Sequence, residues 1–286
     1  TERAVSFMRA NAGRPFLLYV AHSMPHVPLA VSDRFKGKSD AGLYGDVMME
    51  LDWSVGEIAS AAAALGISDN TYIIIMSDNG PWLRYGNHAG STGGLREAKQ
   101  ATFEGGSRVP CIVYCPAKVP AAVCSRLASN IDIFPTLAEL ADAPLPMHDI
   151  DGVSIVPLLE NPDTESPRRF FTYYYRKNDL EAVTDGRFKL IFPHTYNSNE
   201  GCLQGRDGQP GDIREGRVET TELYDLRTDP GERYNIAGSR PYEQAALEAE
   251  AERMRAILGD DLTGRKGSGR RLPVVSKESL TYPEKR

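Results

Sequence analysis

Short apolar runs that stop abruptly at polar residues set the pattern of the first half of the chain. Thr71-Tyr-Ile-Ile-Ile-Met76 ends in Ser77-Asp-Asn-Gly80, and Phe16-Leu-Leu-Tyr-Val-Ala21 ends in His22 and His26, set among prolines. A continuous β-branched run bounded in this way predicts a buried strand of the parallel kind, presenting polar side chains at its carboxyl end. Between the two runs, Val47, Leu51, Val55, Ile58, Ala62 and Leu65 recur at steps of three and four. That spacing is one helical face, so a helix is predicted over about 45–65, closed by Gly66. Strand, helix, strand predicts a βαβ unit with a right-handed crossover.

After Gly80 a glycine-rich loop runs to Lys99, and a stretch this long without periodicity is a functional-loop signal. A third apolar strand is predicted at Val109–Cys115 and a helix over 130–141, with Ile131, Phe134, Leu137 and Leu140 on one stripe. From Pro162 the texture changes. Phe170–Tyr175, Leu180–Thr184, Phe188–Phe192 and Leu223–Leu226 read as short strands, with Asp185-Gly186 as a hairpin cue. A polar stretch over 197–216 reads as a long loop, and Tyr242–Leu258 as a helix. The predicted layout is an α/β domain over 1–160, an α+β subdomain over 161–258 and a basic tail over 259–286.

With 286 residues and 41% hydrophobic content, the chain has material for an ample core. Its net charge of -6 gives no electrostatic footprint for nucleic acid or anionic membrane. No apolar run has bilayer-spanning length, and the first residues lack the order of a secretion signal. Cys111, Cys115, Cys124 and Cys202 form no CxxC pair; Cys111 and Cys115 share one strand face and are expected as buried free thiols. Gly259 to Arg265 fails as a phosphate loop, since arginine stands where lysine is required.

The chemistry lies at the strand ends. Asp78 and Asn79 offer hard oxygen, the ligand type of Ca²⁺ or Mg²⁺, although Asp-Asn-Gly is also an ordinary turn. His22 and His26 stand at the end of the other run, and the loops carry Arg84, His88, Arg96, Lys99 and Arg108.

Pro25-His-Val-Pro28, Ser77-Asp-Asn-Gly80, Gly93-Gly-Leu-Arg-Glu-Ala-Lys99 and Phe103-Glu-Gly-Gly-Ser-Arg-Val-Pro110 together resemble the type I, formylglycine-dependent sulfatases. The similarity is strongest to the arylsulfatase and N-acetylgalactosamine-sulfatase branch. Asp132-Ile-Phe-Pro-Thr-Leu137, Asp151-Gly-Val-Ser154 and Leu223-Tyr-Asp-Leu-Arg-Thr-Asp-Pro-Gly-Glu232 continue it in the same order, to about residue 258. The resemblance implies an alkaline-phosphatase-like α/β sandwich with a mixed, largely parallel sheet, followed by a small antiparallel sheet with a packed helix. It implies Asp78 and Asn79 as ligands of a divalent ion, usually Ca²⁺, with Mg²⁺ as the other candidate, and Lys99 and His26 as catalytic contacts to sulfate and leaving group. Arg108 is a candidate anion contact, with pairing to Glu104 the favoured role. His88 is a candidate for the non-sulfate part of the substrate, and His22 is expected to support the site from behind. The loops at 81–98 and 193–216 are expected to line the pocket mouth.

The family's opening strand with paired aspartates, and the Cys/Ser-x-Pro/Ala-x-Arg segment that becomes formylglycine, have no counterpart here. Cys115-Pro-Ala-Lys118 and Cys202-Leu-Gln-Gly-Arg206 both miss the pattern. The chain therefore reads as the carboxyl-terminal portion of a sulfatase, expected to be inactive by itself. The expected function is hydrolysis of an aryl or carbohydrate sulfate ester, with export (periplasmic, secreted or lysosomal) implied by the resemblance alone. A phosphodiesterase or phosphonate monoester hydrolase of the same superfamily, and a sulfatase-like binding protein without catalysis, are the competing readings.

Overall fold

The computed structural model describes residues 1–271; the part of the basic tail over 272–286 lies outside the described residues. Helix α1 (Glu2–Asn11) packs on α2 (Gly42–Ala64). Met8, Ala61 and Ala62 are buried at the contact, with Val5, Phe16, Leu18, Ile58, Leu65 and Ile67 packed around them. The predicted stripe of α2 is the face that is used. Gly66 follows the helix at φ 69°, the left-handed conformation glycine adopts without strain.

The run Phe16–Ala21 departs from expectation. It is extended and alternates as a strand does: Phe16 and Leu18 pack on the helices, whereas Leu17 and Tyr19 are 73% and 88% exposed. No strand pairs with it among the described residues. A ladder needs a non-local partner, and the run alone cannot specify one.

Strand β1 (Ile73–Met76) exists as predicted, but its neighbour is β2 (Cys111–Tyr114), antiparallel, with Ile73 opposite Tyr114 and Met76 opposite Cys111. All ladders of the described residues are antiparallel. The expected parallel pairing of β1 is thus corrected. An apolar run of Ile-Ile-Ile-Met carries no direction, and the long loop brings the chain back at the end where β1 stops, with Cys111 beside Met76. Ile112 and Tyr114 stay 58% and 43% exposed. They line a shallow apolar groove of about 230 Å³ with Val55, Ala59, Ile73 and Ile75. Cys115 is buried, but Cys111 is exposed, contrary to the expectation that both are internal; all four cysteines are free.

Short helix α3 (Glu104–Ser107) follows the loop; α4 (Ile133–Leu140) and α5 (Val156–Glu160) lead to the second half. There β3 (Phe171–Tyr175), β4 (Asp179–Thr184), β5 (Phe188–Ile191) and β8 (Glu222–Asp225) form an antiparallel sheet in the order β3-β4-β5-β8. Helix α6 (Pro241–Leu258) covers one face, burying Leu247 and Ala251 on Leu180, Val183, Leu190 and Leu223. This is the predicted small sheet with its packed helix. The opposite face is covered by Ala101 and Phe103 from the Lys99 loop, and by Tyr196 and Val218. Those two belong to β6 (His194–Ser198) and β7 (Arg214–Val218), an antiparallel pair that overlaps both ends of the stretch expected as a loop over 197–216. The loop that carries Lys99 is therefore part of the second sheet's core.

Candidate active site

Close backbone contacts bring the end of β1 and the Lys99 loop together. Gly80 N donates to Gly106 O at 2.9 Å, Lys99 N to Pro81 O at 3.0 Å, and Gly105 N to Arg96 O at 2.8 Å. Only glycine permits this approach. A Cβ on Gly80 would stand 1.9 Å from Gly105 O, and one on Gly105 would stand 2.2 Å from Glu97 O. The Gly-Gly of α3 and the Gly after Asn79 are thus explained by backbone packing.

Trp82 is where the candidate side chains meet, and no sequence pattern singles it out. Lys99 Nζ lies 5.2 Å from the centre of its ring. The His26 ring centre lies 6.0 Å from it, and Tyr85 packs on the same indole at 4.9 Å. His26 Nδ1 donates to Val27 O at 2.7 Å, because a carbonyl can only accept, so Nε2 is the nitrogen presented to a ligand.

Asp78 is exposed and Asn79 half-buried. Asn79 Nδ2 donates to Gly80 O at 3.0 Å, which leaves Oδ1 as its atom for a ligand. Ser77 Oγ closes the turn onto Asn79 O at 3.0 Å. Asp78 and Asn79 supply at most three hard side-chain oxygens, against the roughly six to eight that Ca²⁺ takes. Among the described residues no three His, Cys, Asp or Glu side chains cluster as a metal-ligand set. The donor type fits a hard divalent ion, and the two side chains alone fall short of a full coordination shell.

His88 and Arg108 engage other partners. A Cβ on Gly208 would stand 3.6 Å from His88 Nδ1, so His88 packs on the loop over 203–211. That loop is clasped to the 83–88 segment: Gly205 N and Gly211 N donate to Arg84 O at 2.9 and 2.6 Å, and Asn87 and Asp207 bond reciprocally. Arg108 Nε donates to Glu104 Oε2 at 2.7 Å. His22 is exposed beside the prolines.

Beneath the loop lies a buried polar layer. Lys189 Nζ donates to Thr102 O at 2.8 Å and to Glu104 Oε1 at 3.0 Å, and reaches Glu232 Oε1 at 2.9 Å. Burial alone would lower the Lys189 pKa, but Glu232 and Glu104 outweigh it and raise it well above the ordinary lysine value. Glu232 Oε2 accepts from Glu104 N at 2.7 Å. Glu181 is the extra residue at a bulge, since Tyr173 faces Ala182 and Tyr174 faces Leu180. It accepts from Thr102 Oγ1 at 2.7 Å and stands 3.2 Å from His194 Nε2. Burial pushes the Glu181 carboxyl up to about 7 and pushes the His194 imidazole down.

Comparison with known proteins agrees with this architecture. A "Sulfatase" family model matches residues 1–143, and an "N-sulphoglucosamine sulphohydrolase, C-terminal" model matches 97–257. The chain is 37% identical to arylsulfatase A of Bos taurus over 80% of its own length and 46% of that protein's. It is 38% identical to N-acetylgalactosamine-6-sulfatase of Canis lupus familiaris, over 82% of this chain and 47% of the relative. Among solved structures, the PsFucS1 sulfatase of Pseudoalteromonas sp. aligns with a TM-score of 0.76 at 25% identity, covering 89% of this chain and 50% of that one. A Bacteroides thetaiotaomicron sulfatase connected with metabolism of multiple glycosaminoglycans aligns at 0.73 and 33% identity, covering 89% and 53%. The fold is that of the alkaline-phosphatase-like α/β proteins. The chain belongs to the sulfatase family and spans about half the length of the curated relatives it matches. No helix among the described residues is long and apolar enough to cross a membrane.

Proposed function

We propose that this chain supplies the sulfate-facing half of a site that hydrolyses an aryl or carbohydrate sulfate ester. The observation that carries this reading is the convergence of Lys99 and His26 on Trp82, with Lys99 N bonded to Pro81 O just beyond the Asp78-Asn79 turn. Cleavage of a sulfate ester builds negative charge on the leaving oxygen. Lys99 brings a fixed ammonium to that charge. His26 presents Nε2, from which the imidazolium donates the proton that the departing alcohol needs. Asp78 and Asn79 would supply part of the coordination shell of a Ca²⁺ or Mg²⁺ ion, which when bound supplies Lewis-acid polarisation of the sulfate oxygens. The nucleophile, a formylglycine, and the remaining metal oxygens are contributed by residues other than these 286, and export is the expected destination of the whole protein.

The test is turnover of nitrophenyl sulfate against nitrophenyl phosphate by the nucleophile-bearing enzyme, with formylglycine verified by mass spectrometry. The sulfate ester is expected to be the better substrate, and Lys99→Ala to lower its turnover by about 10²- to 10³-fold. An enzyme inert on aryl and sugar sulfates, or faster on the phosphate, overturns the reading. Calcium titration of the 286-residue chain is expected to show weak binding or none, because these two side chains make an incomplete shell.

A further inference from the structure

Lys99 sits between two residues in backbone conformations that favour glycine. Glu97 has φ 54° and Gln100 has φ 79°. For residues with a Cβ these angles are strained, and they persist where surrounding contacts over-determine them. The contacts here come from the second half of the chain. Glu97 Oε1 accepts from Ser198 Oγ at 2.6 Å, and Glu97 Oε2 accepts from Asn199 N at 2.9 Å. Gln100 Oε1 accepts from Asn197 Nδ2 at 3.4 Å. Three successive residues at the end of β6 thus bind both strained positions flanking Lys99. Ser198 is 1% exposed and Ala98 is fully buried, so the attachment is made at the margin of the core, with its bonds partly buried. Glycine at 97 would relieve the backbone but has no side chain to reach β6. A glutamate there trades strain for a two-point anchor.

We propose that Glu97, anchored by Ser198 and Asn199, is a positioning residue for Lys99: it fixes the turn that sets the ammonium against Trp82. The proposal rests on the reading of Lys99 as the group facing the leaving oxygen. Misplacing an ammonium by a fraction of an ångström weakens the transition state most where leaving-group charge is largest. A bracing role alone would lower the rate on all esters alike.

The experiment uses the nucleophile-bearing enzyme with Glu97→Ala, Glu97→Gln, Ser198→Ala and Lys99→Ala, assayed on phenyl sulfate and nitrophenyl sulfate. Glu97→Ala is expected to lower kcat by about 10- to 10²-fold, with the larger loss on phenyl sulfate, whose leaving group is the poorer one. Ser198→Ala gives the same bias at smaller size, and Glu97→Gln, which keeps one carbonyl acceptor, restores part of the rate. A second readout needs no turnover. In the 286-residue chain Trp53→Phe leaves Trp82 as the one tryptophan, and its emission there is expected to move in Glu97→Ala as it does in Lys99→Ala. If Lys99→Ala impairs catalysis while the Glu97 and Ser198 variants match wild type, or lose rate equally on both esters, the positioning role is overturned. If Lys99→Ala itself leaves turnover intact, the reading of Lys99 falls first and the proposal with it.

Discussion

Two lysines of this chain carry the same ammonium into opposite surroundings. Lys189 has no exposure and finds three oxygens, on Thr102, Glu104 and Glu232. Lys99 is half-buried and has the face of Trp82 beside it. A buried charge is tolerated only when paired and hydrogen-bonded, and Lys189 meets that condition from two segments of the chain. It ties the loop that carries Lys99 to the sheet that supports it. Its charge is fully used. Lys99 lies on that loop, and in the proposed function its charge serves what arrives from outside. The difference separates a charge that holds the fold from a charge held by the fold.

The comparison breaks most readily at Lys189. Lys189→Met would strand Glu104 and Glu232 together in the interior, and removing one partner of a buried pair costs about 3–5 kcal/mol. Urea unfolding of the chain is the measurement. A loss below about 1 kcal/mol would show that the cluster relaxes and that Lys189 is not the tie.

The Glu181–His194 pair sharpens the same contrast through pH. The folded-state pKa of Glu181 is raised to about 7, so the folded protein holds a proton there that the unfolded chain releases. Its contribution to stability is fully present below the unfolded carboxyl value and is lost as pH rises through about 7. His194, whose pKa is lowered, acts in the other direction and loses its contribution as pH falls below its ordinary value. Glu181→Gln removes the first effect. Wild type measured against Glu181→Gln is therefore expected to lose relative stability between pH 6 and pH 8.5, in paired urea melts at each pH. A constant difference between the two proteins would mean that Glu181 is ionised throughout.

How far the sequence reaches depends on whether the signal is local. The stripe from Val47 to Leu65 specified α2, and Asp185-Gly186 specified the β4–β5 turn, because spacing and turn chemistry are local. Phe16–Ala21 revealed its extended form and not its pairing. Ile73–Met76 revealed a strand and not its direction, since both depend on residues far along the chain. Asp78, Asn79, His26 and Lys99 could be singled out by the order of short motifs rather than by any one of them. Trp82, on which His26 and Lys99 converge, is an aromatic in a loop with no periodicity to mark it. The positive φ values at Glu97 and Gln100 left no trace, because glycine is the residue that signals such angles. Lys189 did leave one: a lysine inside Phe188-Lys-Leu-Ile-Phe192 demands a buried counter-charge, which sequence reading missed.

The smallest expected effect on stability is the one that tests the comparison from the other side. Lys99→Met keeps the length and apolar stem of the side chain and removes only the ammonium. Among the described residues nothing buried is stranded by the loss, because Lys99 Nζ faces the Trp82 ring at 5.2 Å. A half-exposed cation–π contact is worth about 0.5–1 kcal/mol, so urea unfolding should shift by no more than that. In the nucleophile-bearing enzyme the same change is expected to remove most turnover. The two lysine-to-methionine variants then separate cleanly, one losing the fold and keeping little to assay, the other folding normally and failing at chemistry. A Lys99→Met protein destabilised as much as Lys189→Met would place Lys99 among the structural charges and leave the leaving oxygen without its cation.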